Sequence, residues 1–405
     1  IDLLCPNGVE LKPLGELVEI LDSLRKPVAK GKRSKGEFPY YGANGIQDYV
    51  DEYIFDGKFL LVGEDGSVIN PDKSPVLNWV EGKIWVNNHA HILREVGDNS
   101  LRYVYYALQI CNVSEIVRGT PPKLNQANLR NILIPVPPIE VQEEIVRILD
   151  TFSAHAAELQ AELQARKEQY EYYRNLLLTF NSSACGYGTD GEQEIKVTTW
   201  GGHSYEISWK TMEEVFEMRN GYTPSKNKPV FWDGGTIPWF RMEDIRDFGR
   251  ILSDSYQHIT PAAIKGKGLF EKNSFILATT ATIGEHAMLI ADSLANQQFT
   301  NLKIRKSLED KLVTKFIYYY MFIVDEFCKN NTNVSGFASV DMGKLKKMRF
   351  PIPPLELQEK IVSILDRFET LVNDLTQGLP AEIAAVKEQY EYYRNKLLTF
   401  TPLSA

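Results

Sequence analysis

The chain is poor in the residues that build metal centres and covalent staples. Its four cysteines, Cys5, Cys111, Cys185 and Cys328, lie far apart with no CxxC pair. They suggest neither a zinc knuckle nor a disulfide framework, and a reducing cytoplasm is the simplest home. There is no apolar run of about 18 residues and no basic-then-apolar leader, so neither a membrane span nor a secretion signal is expected. The chain starts at Ile1 rather than Met, so its natural first residues are expected to be missing. It also lacks a glycine-rich strand-to-helix loop, an Asn/Asp-Pro-Pro-Tyr/Phe segment and a GxxxxGK[ST] phosphate loop. Base methylation and ATP-driven motion are therefore without their usual residues here. Positive charge is short as well: 45 Lys and Arg against 53 Asp and Glu leave a net charge of −8, the wrong sign for neutralising phosphates.

The distribution of charge says more than its sum. Residues 25–36 read RKPVAKGKRSKG, six bases and no acid, whereas residues 140–174 carry eight acids against four bases. With 405 residues of which 43% are hydrophobic, two to four domains with sizeable cores are expected.

The dominant feature is an internal repeat. PPIEVQE at 137–143 returns as PPLELQE at 353–359, an offset of 216, and KEQYEYYRN at 167–175 returns unchanged at 387–395, an offset of 220. The second copy has thus gained four residues between these points. A fainter repeat precedes each domain, KPLGELVEI at 12–20 and KTMEEVFEM at 210–218. Each PP pair opens a helix, and apolar residues then recur by threes and fours, from Ile145 to Leu177 and from Ile361 to Leu397. Each helix is expected to run for about 40 residues, about 60 Å, and the two single-striped helices should pair as an antiparallel coiled coil.

Between the helices, short β-like runs at 53–55, 58–62, 83–86 and 275–278 are punctuated by Gly, Asn, Asp and Pro, with helical segments near 101–110 and 311–326. The expected class is α+β, with a pseudo-twofold internal repeat. Boundaries fall at 1–136 for the first domain, 137–180 for the first helix, 181–204 for a linker, 205–350 for the second domain and 351–405 for the second helix.

The paired segments IPVPPIEVQEEIVRILDTF and FPIPPLELQEKIVSILDRF, the two KEQYEYYRN closures, and GYTPSKNK, TIPWFRMEDI and NSFILATTATIGEHAM of the second domain resemble the specificity subunits of type I restriction-modification systems. The resemblance covers nearly the whole chain. It implies a non-catalytic protein with two target-recognition domains, each reading half of a split double-stranded DNA sequence, and two helical spacers that each dock a methyltransferase subunit. Two restriction subunits would join the full complex, and S-adenosylmethionine, ATP and Mg would belong to those partners. Nine identical residues that include the solvent-side positions Lys167, Glu168, Glu171 and Arg174, repeated as Lys387, Glu388, Glu391 and Arg394, are the expected docking surface, together with Gln142 and Gln358. Coiled-coil packing alone would leave such positions free to drift.

For DNA, the first domain offers Arg25, Lys26, Lys30, Lys32, Arg33 and Lys35 to phosphates and Tyr40, Tyr41, Asn44 and Gln47 as readers or stackers. Asn88, His89, Arg118, Thr120 and Lys123 are further candidates. In the second domain Tyr222, Thr223, Lys226 and Lys228 take the corresponding place, with Trp239, Arg241, Gln297 and Gln298 flanking strands and Lys344 and Lys346 suited to a backbone. Two alternatives compete. One is a coiled-coil scaffold that reads no sequence. The other is a metal-dependent nuclease built on Asp72, Glu81 and Lys83, a spacing that can hold Mg²⁺ and steer water. His89 and His91, alternate residues of one strand, could serve as metal ligands but have no third partner in the sequence, so a structural or DNA-facing role is expected.

Overall fold

The computed structural model describes residues 5, 7–180, 195–200, 202–266, 268–333, 338–374 and 376–403. Most of the linker expected at 181–204, and Leu375 of the second apolar stripe, lie outside the described residues. Two compact units divide the chain: Ile1–Glu162 together with Ala381–Ala405, and Leu163–Pro380.

The first unit begins with β1 (Glu10–Pro13), α1 (Leu14–Leu17) and β2 (Val18–Ile20), continues through β3 (Lys35–Gly42), β4 (Gly45–Val50), β5 (Phe55–Gly63), β6 (Leu77–Val86) and β7 (Ala90–Glu95), and closes with α2 (Leu101–Leu108), α3 (Gln126–Arg130) and β8 (Leu133–Val136). Six strands form one sheet in the order β2-β7-β5-β6-β3-β4, while β1 pairs with β8. The apolar run Phe59–Leu60–Leu61–Val62 shows why this sheet is covered on both faces. Alternate residues of a strand point to opposite sides, so Leu60 and Val62 enter the core under α2 whereas Phe59 and Leu61 enter a second core with Leu21, Val80 and Ile92.

From β8 the chain enters α4 (Ile139–Leu178), which is unbroken and contributes to both units. The second unit holds β9 (Ile195–Trp200), β10 (His203–Thr211), α5 (Met212–Val215), β11 (Phe216–Asn220), β12 (Ile237–Phe240), α6 (Met242–Phe248), β13 (Ile251–Leu252), β14 (His258–Ile259), β15 (Phe275–Ala278), β16 (His286–Leu289), β17 (Leu294–Ala295) and β18 (Phe299–Ile304). Then come α7 (Thr314–Asn330), β19 (Thr332–Asn333), β20 (Ser339–Val340), α8 (Met342–Lys347), β21 (Arg349–Ile352) and α9 (Leu355–Asn373); the last helix, α10 (Leu379–Leu398), belongs to the first unit from Ala381 onward. The main sheet of the second unit has the order β11-β18-β15-β16-β13, with β14-β12-β17 beside a core of Trp239, Phe240, Phe270 and Phe299. Both units mix helix and sheet, as the α+β reading requires.

The second spacer departs from expectation: it is two helices, α9 and α10, not one. Asp374 Oδ1 accepts bonds from the Thr376 N–H at 2.7 Å, the Thr376 hydroxyl at 2.6 Å and the Gln377 N–H at 3.2 Å, a side-chain turn that diverts the backbone. Gly378 follows where an added Cβ would sit 2.4 Å from Thr370 O, and Pro380 occupies the first turn of α10. The four residues gained by the second copy lie in this region, between the two repeated motifs.

Within each unit the repeated motifs meet in one arrangement. Phe152 of α4 stacks on Tyr393 of α10 with centroids 5.5 Å apart, and Phe368 of α9 stacks on Tyr173 of α4 at 5.8 Å. These are equivalent residues of the two copies with the roles of the helices exchanged.

The domain helix of each unit is locked to its spacer by a second repeated device. Gln142 (3% exposed) accepts a bond from the Ser100 N–H and donates to Pro137 O; Gln358 (0%) accepts from the Val313 N–H and donates to Lys311 O and Pro353 O. Asp150 takes Arg102 and the Tyr106 hydroxyl, and Asp366 takes Lys315 and the Tyr319 hydroxyl. Gln142 and Gln358, expected on the docking surface, are therefore interior: each end of the side-chain amide answers backbone groups that burial would leave unpaired.

Candidate nucleic-acid interface

In the first domain the candidate residues divide by exposure. Lys26, Lys30, Lys32, Lys35, Asn44 and Gln47 are exposed on or beside the β3–β4 hairpin. Tyr40, expected as a stacker, is 1% exposed; its hydroxyl accepts the Val28 N–H at 2.9 Å, and its ring lies under the Arg33 guanidinium at 4.1 Å. Arg33 also holds Asp48 at 3.2 Å and Val28 O, so these two residues shape the basic loop from inside. Tyr41 is half-buried, and burial, with the nearby Tyr49, pushes its hydroxyl above the usual phenol value.

Bonds join the hairpin to the other candidate loops. Asn87, 2% exposed, donates to Gln47 Oε1, bonds Tyr41 O through its N–H, and accepts the His89 N–H. His89 is exposed and pairs with Asp65. Backbone bonds link Arg118 with Lys123 in both directions, and Gly66 with Pro122. Arg118, Thr120 and Lys123 are exposed on this loop.

Beneath these loops lies a charged cluster that sequence reasoning did not assemble. His91 is fully buried, with Nδ1 at 2.6 Å from Asp22 and Nε2 at 2.8 Å from Leu124 O. Gln126 donates to Asp22 at 2.9 Å. Glu64 takes Arg25 at 2.5 Å and Lys123 at 3.0 Å. Arg25, expected at a phosphate, turns inward instead: only 13% of its side chain is exposed, and it also donates to Asp22 O at 3.0 Å and Ala90 O at 2.8 Å. Burial alone would raise the Asp22 carboxyl, but the hydrogen bond and charge of His91, the charge of Arg25 and the Gln126 bond hold it below its usual value. The same opposition, with Arg25 and Lys123 donating, lowers Glu64. Asp22, Glu64 and His91 carry a donor set that a metal ion could use, but here Arg25 and Lys123 supply the positive charge that compensates the carboxylates.

In the second domain Thr223 bonds Gln297 at 2.6 Å, and Lys226 lies over Trp232 and Trp239 while bonding Gln257. Trp239 is 2% exposed and donates its indole N–H to Tyr222 O, so it is a floor and not an exposed stacker. Tyr222 is half-buried, its hydroxyl donating to Ala263 O. Arg241 pairs with Glu243, and Gln298 accepts from Asn296. Lys228 is exposed over Phe231. Lys344 and Lys346 lie on α8, whose start is capped by Asp341; a run of backbone and hydroxyl contacts connects Gln298, Thr279 and Val340 just before that cap.

The nuclease constellation does not form. Asp72 accepts the Ser74 N–H and hydroxyl in a turn, Glu81 is exposed and accepts the Trp79 indole N–H, and Lys83 lies over Tyr53. His89 and His91 have separate partners.

On the spacers, Lys167, Glu168 and Glu171 and their copies Lys387, Glu388 and Glu391 are exposed. Arg174 lies 4.1 Å from the centroid of Phe322, and Arg394 reaches Gln109 at 3.4 Å, so both arginines turn toward their domains. The sequence reading passed over Tyr172 and Tyr392, which are 63% and 59% exposed. Their signal was available, since both stand inside the repeated motif.

The architecture is a duplicated α+β one, with a basic hairpin face in its first domain. Residues 6–168 and 206–385 match the model of the type I restriction modification DNA specificity domain, and the chain belongs to that family as a non-catalytic specificity subunit that recognises DNA sequence. It is 33% identical over 98% of its length to a putative type I restriction enzyme specificity subunit of Haemophilus influenzae, covering 97% of that protein. It is 32% identical to the EcoR124I/EcoR124II specificity subunit of Escherichia coli, over 97% of this chain and 95% of the relative. A third relative, the EcoprrI specificity subunit of Escherichia coli, is 49% identical, but over 48% of this chain and 50% of its own length. In fold, the chain is similar to a type I system S subunit from M. genitalium (TM-score 0.52, 13% identity, 96% of both chains covered).

Proposed function

We propose that domains 1–136 and 205–350 each read one half of a bipartite duplex target, and that the spacers at 137–180 and 351–405, joined through 181–204, pair as an antiparallel coiled coil that sets the distance between halves. The exposed Lys-Glu-Glu-Tyr face of each motif, Lys167, Glu168, Glu171 and Tyr172 and its copy Lys387, Glu388, Glu391 and Tyr392, docks one methyltransferase subunit. Two restriction subunits complete the assembly in the cytoplasm. The methyltransferase subunits bring S-adenosylmethionine, and ATP and Mg act in the partners.

The observation that carries this reading is the duplicated spacer surface. Both copies expose the same charged residues and the same tyrosine, while Tyr170 and Tyr390 and the two arginines turn inward, and a repeated face on two copies fits two copies of one partner. The net charge of −8 fits a chain whose partners supply part of the phosphate-binding surface. Fluorescence anisotropy tests the reading. The isolated chain should bind duplex DNA weakly, and specific, salt-sensitive binding should appear on adding methyltransferase subunits. A chain that binds methyltransferase but never discriminates sequence would be a scaffold.

A further inference from the structure

Arg25 sits in the basic run, yet its geometry is that of a brace. One guanidinium nitrogen reaches Glu64 at 2.5 Å, Ala90 O at 2.8 Å and Asn88 O at 3.4 Å, and Nε reaches Asp22 O at 3.0 Å. The Asn88 and Ala90 carbonyls belong to the loop that presents Asn88 and His89. The anchors are themselves fixed: Asp22 by His91 and Gln126, Glu64 by Lys123, and the Glu64 backbone by the His89 carbonyl and the Leu124 N–H. Four chain segments, 22–25, 64–66, 88–91 and 118–126, are thus tied at one buried point, and the exposed candidates Asn88, His89, Arg118, Thr120 and Lys123 stand on two of them. A planar fork with several donors can bind two carbonyls and a carboxylate at once; an ammonium cannot hold the same set in the same plane.

We propose that Arg25, braced by Asp22, Glu64 and His91, is a positioning residue that determines specificity for the first half-site, by fixing the loop of Asn88 and His89 against the loop of Arg118 to Lys123. Attraction to phosphates tolerates a loose loop, whereas hydrogen bonds to base edges require placement within a fraction of an ångström. The inference rests on the reading of the first domain as a DNA reader.

The test compares wild type, Arg25→Lys and Glu64→Gln, each as the full chain with methyltransferase subunits. Anisotropy is recorded on a duplex carrying the target mapped by methylome sequencing and on a scrambled duplex, between 50 and 200 mM salt. Arg25→Lys should lose about ten- to hundredfold on the target, the worth of one or two base contacts, while binding to scrambled DNA stays within about twofold and its salt slope is unchanged. Glu64→Gln keeps an acceptor for the fork and should show a smaller loss of the same kind. In the host, Arg25→Lys should relax the first half of the methylated sequence and leave the second half fixed, which also reports a folded chain. A salt slope lower by about one with the discrimination ratio intact would make Arg25 a phosphate contact and overturn the proposal. So would wild-type discrimination by both variants, or equal weakening on both duplexes. Absence of sequence-specific binding by the wild-type complex would overturn the underlying reading, and the proposal with it.

Discussion

Gln358 allows the role of the repeated PPxxxQ motif to be weighed. Its side chain is fully buried and makes three hydrogen bonds, to the Val313 N–H at 2.8 Å, Lys311 O at 2.8 Å and Pro353 O at 2.7 Å. Gln142 makes two, to the Ser100 N–H at 3.1 Å and Pro137 O at 2.9 Å. Replacement by methionine keeps the volume and removes the polar ends. At a net value of about 1 kcal/mol per bond, Gln358→Met should cost about 3 kcal/mol and Gln142→Met about 2 kcal/mol, with more where the N–H stays buried and unpaired. Urea unfolding followed by tryptophan fluorescence reads this directly: at an m-value of about 2 kcal/mol per molar, 3 kcal/mol is a midpoint shift of about 1.5 M. The exposed neighbours Glu143→Ala and Glu359→Ala should stay within about 0.5 kcal/mol. If the methionine variants unfolded like wild type but lost methyltransferase binding, the internal clip would be wrong and the glutamines would be docking residues after all.

Other outcomes follow from the same structure. The carboxyls of Asp22 and Glu64 are held below their ordinary values of 3.8 and 4.5, so their contribution to stability is complete above those values and is lost as pH falls through the lowered ones. The urea midpoint of the first unit should therefore drop on going from about pH 5 to about pH 3, and Asp22→Asn should flatten that dependence. Deleting residues 161–164, one of the two AELQ units within unbroken α4, should shorten the rod by about 6 Å and rotate its face by only about 40°. Methylome mapping should then find unchanged half-sites one or two base pairs closer together; an unchanged spacer would refute the ruler. Replacing residues 10–135 with the equivalent domain of another specificity subunit should change one half of the methylated sequence, and a change in both halves would argue against independent readers.

Much of the architecture was legible because it is written twice. The offsets of 216 and 220 gave the order of domains and spacers, and the segments at 58–62 and 275–278 are strands as their composition required. The fate of individual polar side chains was not legible. Glutamine in a helix is usually solvated, and what holds Gln142 and Gln358 inside includes backbone groups of Ser100, Lys311 and Val313, remote in sequence, beside the nearby carbonyls of Pro137 and Pro353. Arg25 and Lys26 look alike in a basic run; the fork of one and the stem of the other send them in opposite directions once Asp22, Glu64 and Ala90 converge. His91 drew notice only as half of a His-Ala-His pair, since its partners lie at positions 22 and 124. A weaker repeat was within reach. Arg102-Tyr103-Val104-Tyr105-Tyr106 and Lys315-Phe316-Ile317-Tyr318-Tyr319 each present a base and a tyrosine, to Asp150 and Asp366 respectively, but substitutions such as Arg for Lys hid the likeness.

The first unit is made from both ends of the chain. Leu398 lies in its core at 2% exposure with Tyr390, Leu397 and Phe400 packed against it, and Val9 exchanges backbone bonds with Thr401 and Leu403. A ribosome finishes residue 162 long before it reaches residue 381, a gap of 381 − 162 = 219 residues. At about 5–20 residues per second this interval is roughly 11–44 s. Throughout it the nascent first domain stands with an apolar flank uncovered, while the whole second unit is made and folds. The first unit is thus begun before the second and completed after it. Chaperones that shield apolar surface have their longest opportunity there, and a chain cut short before Ala381 leaves the first domain with that flank open.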